Sequence, residues 1–149
     1  MTSVITFLWF DAGAEEAAEF YTALIPDSRI TEVSRNPDGS AFVVSLELAG
    51  HTVALLNGGP TYALSEAASL QVIVEDQGEV DRLWDALTAD GGKPGPCGWL
   101  IDRYGLSWQI VPAELPALLS GDRAAAVGAA MRTMSKLDIE GLRAARDGE

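Results

Sequence analysis

Short runs in which apolar and polar residues alternate recur through the first 111 positions and predict β-strands. The clearest run is 42–48, where every second side chain is apolar and the positions between them include a serine and a glutamate. Apolar residues at helical spacing predict helices over 14–24 and 79–89. Further strands are predicted at 4–10, 29–35, 52–56 and 70–75, and on both sides of a turn at 102–105.

The predicted elements follow the order β-α-β-β-β over about 3–60 and again over about 68–112. Residue identities do not recur between the two segments, so the prediction of an internal structural repeat rests on the order of elements alone. A proline- and glycine-rich stretch, 93–98, precedes the final strand pair, and we expect one strand of the second segment to be short or irregular. Residues 1–112 are therefore predicted to form two paired βαβββ modules in an α+β fold.

The chain after Val111 changes to a helical pattern, with helices predicted over 112–119, 122–134 and 137–146. Residues 113–149 are thus predicted to be a helical extension that packs either on its own domain or on a partner subunit. The side chains expected to pack there are Met131, Met134, Leu137, Ile139 and Leu142.

The last predicted strand pair, 97–111, carries the most informative chemistry. Asp102 and Gly105 occupy the first and fourth positions of a turn, as a type I turn favours. In the strand that follows, alternation places Gln109 on the face opposite Trp108. An amide in the middle of an apolar strand must find hydrogen-bond partners or lower stability, so Gln109 is a candidate binding residue.

Charge and cysteine content narrow the classes of function. A net charge of −12 argues against nucleic-acid binding, which needs clustered lysine and arginine, and it disfavours anionic membranes. No apolar run is long enough to span a bilayer, and the first residues lack a basic leader. The single cysteine, Cys97, excludes an intramolecular disulfide and suits a reducing compartment. These features lead us to expect a cytoplasmic protein, with Cys97 as a partly buried thiol that has no evident base partner.

A family signal lies in five segments, namely Phe7-Leu-Trp-Phe-Asp11, Glu15-Glu-Ala-Ala-Glu-Phe-Tyr21, Leu56-Asn-Gly-Gly-Pro60, Glu75-Asp-Gln-Gly-Glu-Val-Asp81 and Cys97-Gly-Trp-Leu-Ile-Asp-Arg-Tyr-Gly-Leu-Ser-Trp-Gln109. Together they resemble the PhnB-like family of the vicinal oxygen chelate (glyoxalase/bleomycin-resistance) superfamily. The resemblance implies a cupped mixed sheet built from two βαβββ modules, commonly in a homodimer, with the cup binding metals, substrates or drugs.

Members of this family are often labelled 3-demethylubiquinone-9 3-methyltransferase. The present sequence has no glycine-rich loop between a strand and a helix of the kind that binds S-adenosylmethionine, and no doubly wound αβ alternation. We therefore expect that the methyltransferase label does not describe the mechanism.

Enzymes of the superfamily typically hold a divalent ion with histidines and glutamates from the first strand of each module and from the last strands. Here Gln109 stands where these enzymes usually have a glutamate, and the only histidine, His51, lies in a predicted turn. Without anionic or imidazole ligands converging, we predict that the usual metal site is absent and that there is no cofactor. The alternative is a lyase, isomerase or dioxygenase-type enzyme with a non-standard divalent metal site that uses Asp11, Glu47 or Glu75.

The positions predicted to line the cup, including its rim, are Trp9, Asn57, Gln71, Trp99 and Gln109. Amides and aromatic walls suit a small polar or aromatic molecule, so the sequence predicts a metal-independent, small-molecule-binding homodimer. A competing interpretation is that the amides bond only to one another and to buried water and tie the modules together. The cup would then be a packed scaffold, and whether the protein catalyses a reaction is left open.

Overall fold

A strand, a helix and three further strands follow one another twice along the chain. The computed structural model describes residues 1–149 and divides them into two compact units, 1–64 and 65–149. The first unit contains β1 (Thr6–Phe10), α1 (Ala14–Leu24), β2 (Arg29–Arg35), β3 (Ala41–Leu48) and β4 (His51–Asn57). The second unit contains β5 (Leu70–Val74), α2 (Gln77–Thr88), β6 (Lys93–Pro94), β7 (Trp99–Ile101), β8 (Ser107–Pro112), α3 (Leu115–Ser120), α4 (Ala124–Arg132) and α5 (Ile139–Asp147).

The two four-stranded sheets have the same topology, which confirms the predicted repeat. Their strand orders are β1-β4-β3-β2 and β5-β8-β7-β6. In each sheet the first strand pairs in parallel with the last strand of its module, and the remaining pairs are antiparallel. The predicted α+β class with C-terminal helices is confirmed, and the compressed strand is β6, which has two residues.

The first sheet is covered on one face by α1, whose observed bounds equal the predicted ones. The helix buries Ala14, Ala17, Ala18 and Tyr21 and contacts β2, β3 and β4. On the sheet, the buried members of the alternating pattern include Val44, Leu46 and Leu48 in β3 and Val53 and Leu55 in β4. The opposite face of this sheet remains open along β1, where Phe7 is 56% exposed.

Helix α2 covers the second sheet in the same way, but it begins two residues before the predicted start. Asp76 is its N-cap, and the carboxylate accepts a hydrogen bond from the backbone N–H of Glu79 at 2.9 Å. The buried stripe consists of Val80, Leu83, Trp84 and Leu87. Trp84 therefore belongs to the core, as its position on the apolar stripe indicates.

The C-terminal helices pack within the second unit. Their core consists of Val111, Leu115, Leu118, Val127, Leu137 and Leu142, with Met131 and Met134 packed against it. The Gln77 amide bridges α2 and this extension, because it donates to the carbonyl of Leu137 at 3.0 Å and accepts from the N–H of Ile139 at 2.8 Å. None of the five helices has the length and apolar character that a membrane crossing needs.

The closing hairpin is organised by the buried carboxylate of Asp102, which is 2% exposed. One carboxylate oxygen accepts from the backbone N–H groups of Tyr104 and Leu106 at 2.8 and 3.1 Å. The other accepts from the indole N–H of Trp108 at 2.8 Å. Gly105, with φ of +89°, closes the predicted turn on the carbonyl of Asp102. Turn and core are thus joined through one side chain.

Candidate functional site

Three of the predicted site residues form a row across the second sheet. Gln71 on β5 lies opposite Gln109 on β8, and Gln109 lies opposite Trp99 on β7. Since directly paired residues share a face, all three side chains lie on the same side of the sheet. In β5 and β7 the row holds the more exposed positions, whereas the opposite face of β7 and β8 is buried, with Leu100 and Trp108, where α2 contacts the sheet. The row therefore lies on the face that α2 does not cover.

The two amides of this row are joined to each other and to a serine. The Gln71 amide nitrogen donates to the Gln109 amide oxygen at 3.1 Å. The Gln109 nitrogen in turn donates to the hydroxyl of Ser69 at 2.8 Å. The chain of bonds fixes both amides in orientation while Gln71 stays exposed. The amides thus bond to each other within the second unit, and Gln71 stays accessible. Whether amides tie the two modules together stays a prediction.

A pocket of about 520 Å³ opens beside the row and shares Trp99 with it. Its lining consists of Glu66, Lys93, Pro94, Gly95, Pro96, Trp99, Leu100 and Ile101. The walls are mostly apolar, with Lys93 and Glu66 as the charged groups. Neither of these two side chains forms an ion pair within the structure, so both charges are free to meet a ligand.

A buried hydroxyl adjoins the same face. Ser107 is 1% exposed, and its hydroxyl has no hydrogen-bond partner. It is paired across the strands with Ile101, which lines the pocket. A buried hydroxyl without a partner costs free energy, which makes Ser107 a further candidate to bind a ligand. Ser107 is not among the residues predicted to line the cup, although its phase in the strand, the same as that of Gln109, indicates this face.

Trp9 lies in the first unit, on the open face of that sheet. Its indole N–H donates to the carbonyl of Gly59 at 2.9 Å, and its ring meets Tyr62 edge-on at 5.0 Å. A Cβ at Gly58 would lie 2.3 Å from the indole, so only glycine fits there. Trp9 is thus held as a rigid aromatic wall whose polar group is already bonded. Its convergence with the residues of the second unit stays a prediction.

The structure corrects the placement of Asn57. In β4 this residue is in phase with Val53 and Leu55, so it lies on the face covered by α1 rather than on the open face. Its amide oxygen accepts from the N–H of Ala14 at 2.9 Å, and its nitrogen donates to the carbonyl of Ala41 at 3.0 Å. The N-cap of α1 is a glycine without a capping side chain, and Asn57 supplies the missing acceptor. We therefore leave Asn57 out of the binding proposal.

The residues present do not fit a divalent metal site of the usual kind. Neither unit contains three or more histidine, cysteine, aspartate or glutamate side chains grouped to hold an ion. Among the acidic candidates, Glu47 forms an ion pair with Arg29 at 3.3 Å. The imidazole of His51 bonds to the hydroxyl of Thr6 at 2.8 Å, at an exposed position at the start of β4. The amide of Gln109 is neutral and already bonded on both of its polar atoms.

Comparison with known proteins identifies the family. Residues 2–111 match the family described as 3-demethylubiquinone-9 3-methyltransferase. Among solved structures, a PhnB protein from Bacillus cereus, described in the terms of the same family, is 29% identical with a TM-score of 0.68. The match covers 75% of this chain and 100% of that one.

More distant structures share the fold. The fosfomycin resistance protein FosX from Listeria monocytogenes has a TM-score of 0.60 at 13% identity, over 80% of this chain and 98% of that one. A glyoxalase/bleomycin resistance protein/dioxygenase domain from Frankia has a TM-score of 0.50 at 16% identity, over 75% and 92%. Among curated proteins there is no match. The chain belongs to the family described as 3-demethylubiquinone-9 3-methyltransferase, the PhnB-like family.

Proposed function

We propose that the protein binds a small polar or aromatic molecule on the open face of its second sheet, without the divalent metal of the superfamily's enzymes. The observation that carries the proposal is the row of Gln71, Gln109 and Trp99, which ends at the pocket beside β6 and β7. The homodimer that the family resemblance implies is part of the same proposal.

The chemistry of the row and the pocket suits a ligand with one polar and one apolar part. Fixed amides offer hydrogen bonds to neutral groups, and orientation by a second hydrogen bond lowers the entropy lost on binding. Trp99, Pro94 and Ile101 offer flat and branched apolar surface for a ring. Pockets of several hundred cubic ångströms with few polar groups are typical of small-molecule sites.

Removing the amides should abolish binding and leave the fold intact. We expect that molecules which raise the melting temperature of the wild type, selected from a set of neutral polar and aromatic compounds, lose that effect in Gln71→Ala and Gln109→Ala. The measurement is thermal denaturation with and without each compound. Asn36→Ala removes an exposed amide from the first unit and is the matched control. Equal shifts in wild type and both glutamine variants would contradict the role of the row.

Metal content distinguishes this proposal from the enzyme with a non-standard metal site. We expect purified wild type to contain no stoichiometric Zn, Ni, Mn or Fe when measured by elemental analysis. Gln109→Glu, which restores a carboxylate where family enzymes usually have one, is the comparison variant. Metal bound at one equivalent to the wild type would overturn the metal-free proposal and favour a lyase, isomerase or dioxygenase-type activity.

A further inference from the structure

We propose that residues 134–137 of the C-terminal extension, named here the tail clamp, position the wall of the ligand pocket, with Ser135 as a positioning residue. The inference rests on the proposed function, because it takes the pocket of the second unit as the binding site. It assigns to the extension a part in ligand affinity in addition to its packing.

The tail clamp bonds directly to the segment that forms the pocket wall. The backbone N–H of Cys97 donates to the carbonyl of Met134 at 2.8 Å, and that of Gly98 donates to the carbonyl of Ser135 at 2.7 Å. The Ser135 hydroxyl donates to the carbonyl of Gly95 at 2.5 Å. Gly95 lines the pocket. Three hydrogen bonds within four residues therefore fix this wall from the side of the extension.

The backbone of the wall has a conformation that needs such support. Cys97 has a φ of +57°, in the left-handed region that side chains with a Cβ rarely adopt. Gly98 follows with a φ of +85°, and a Cβ there would lie 3.0 Å from the side chain of Leu137. Conformations of this kind persist where the surrounding contacts determine them. Loss of the tail clamp would allow the segment to relax to other conformations.

The other side of the tail clamp is anchored to α2. Lys136 forms an ion pair with Asp81 at 2.9 Å, and the Gln77 amide bonds to the Leu137 carbonyl. The hydrogen bond from Gln77, followed by that from Lys136, lowers the pKa of Asp81, so the carboxylate is charged over the physiological range. Because helix and wall are held by the same four residues, movement of the clamp must change the pocket.

The tail clamp lies in the part of the chain beyond the region that matches the family. The family match ends at residue 111, and 75% of this chain accounts for the whole of the Bacillus cereus PhnB protein. The pocket wall lies inside the family region, whereas the tail clamp lies beyond it. The extension thus adds a second layer of contacts behind a pocket wall of the family fold, as positioning of a binding site requires.

The experiment uses the full chain and the dye 1-anilinonaphthalene-8-sulfonate, which combines aromatic rings with an anion for Lys93. A drop in energy transfer from tryptophan to the bound dye in Trp99→Phe, which keeps Trp9, Trp84 and Trp108, identifies binding at this pocket. We expect Ser135→Ala to weaken that binding by about 3- to 10-fold, the range of one hydrogen bond. Ser135→Thr should restore it, and Ser120→Ala, which removes a hydroxyl bonded within α3, should leave it unchanged.

Hydrogen exchange of the Cys97 and Gly98 amides, measured in the same variants, distinguishes a failure of the tail-clamp proposal from a failure of the proposed function. Weaker dye binding in Ser135→Ala together with faster exchange supports the inference. Equal affinity and equal exchange in wild type and Ser135→Ala overturn it and leave the proposed function standing. If wild type shows no Trp99-dependent dye binding, the pocket fails as a site for such ligands. In that case hydrogen exchange alone tests the positioning of the wall. Faster exchange in Ser135→Ala supports it, and unchanged exchange refutes it.

Discussion

Replacing Asp102 by alanine is expected to lower the free energy of unfolding by about 3–5 kcal/mol. Its side chain accepts three hydrogen bonds, each worth about 1.5–3 kcal/mol, and bonds to one shared acceptor contribute less than their sum. The carboxylate is buried and accepts from two backbone N–H groups and from the indole of Trp108. Alanine would leave the donors of Leu106 and Trp108 buried without this acceptor, and that of Tyr104 partly buried. Urea denaturation followed by circular dichroism measures the loss.

Asp102→Asn tests whether the bond to Trp108 matters separately. Asparagine retains one acceptor oxygen for the turn but points an N–H group at the indole N–H. We therefore expect a free energy of unfolding between those of the wild type and Asp102→Ala. Trp108→Phe removes the indole donor, and the double variant completes a thermodynamic cycle. Asp90→Ala is the matched control, since Asp90 pairs with Arg103 at the surface with 77% exposure. A loss no larger in Asp102→Ala than in Asp90→Ala would show that the hairpin does not depend on this carboxylate.

Asn57→Ala is expected to destabilise the protein by about 1–3 kcal/mol, the usual cost of a buried polar group left without its partner. The backbone N–H of Ala14, a fully buried residue, would lose its acceptor at the start of α1. Asn57→Asp should lower the free energy of unfolding by less, because a carboxylate oxygen can still accept the hydrogen bond and its negative charge is favourable at a helix N-terminus. The aspartate cannot donate to Ala41, so some loss should remain.

The same denaturation experiment reports on this second prediction. Asn36→Ala, which removes an exposed amide from the turn before β3, is the control for loss of an asparagine elsewhere in the unit. Equal stability of wild type and Asn57→Ala would mean that water replaces the amide at the helix start. It would then reopen the question of whether Asn57 is available for a ligand.

The sequence predicted the elements well where the apolar pattern was regular. The bounds of α1 agree with the prediction because its small and aromatic side chains repeat at helical spacing without interruption. Alternation also placed Gln71 and Gln109 on the same face of the second sheet, as the pairing of the two residues shows. The order of elements correctly predicted two modules of equal topology, although their residues do not repeat.

What the sequence did not predict depends on contacts between distant positions. The strand position of Asn57 led to its placement in the cup, although its phase with Val53 and Leu55 already indicates the covered face. Its bond to Ala14, 43 positions away, has no signal in the sequence. Asp102 was explained by its turn, so nothing local indicated the further bond to Trp108. The contact of Ser135 with Gly95 spans 40 positions and has no periodic signal. Patterns along the chain report which face a side chain occupies, whereas partners across the fold need coordinates.

The direction of the hydrogen bonds in the Ser69, Gln109 and Gln71 chain carries a consequence for selectivity. Because Gln71 donates to Gln109, and Gln109 donates to Ser69, the exposed amide of Gln71 keeps its carbonyl oxygen and its second N–H for a ligand. The oxygen can accept from an O–H or N–H group of the ligand, and the N–H can donate to an oxygen of the ligand. An alcohol and its methyl ether have nearly the same shape, but only the alcohol could bond to both groups at once.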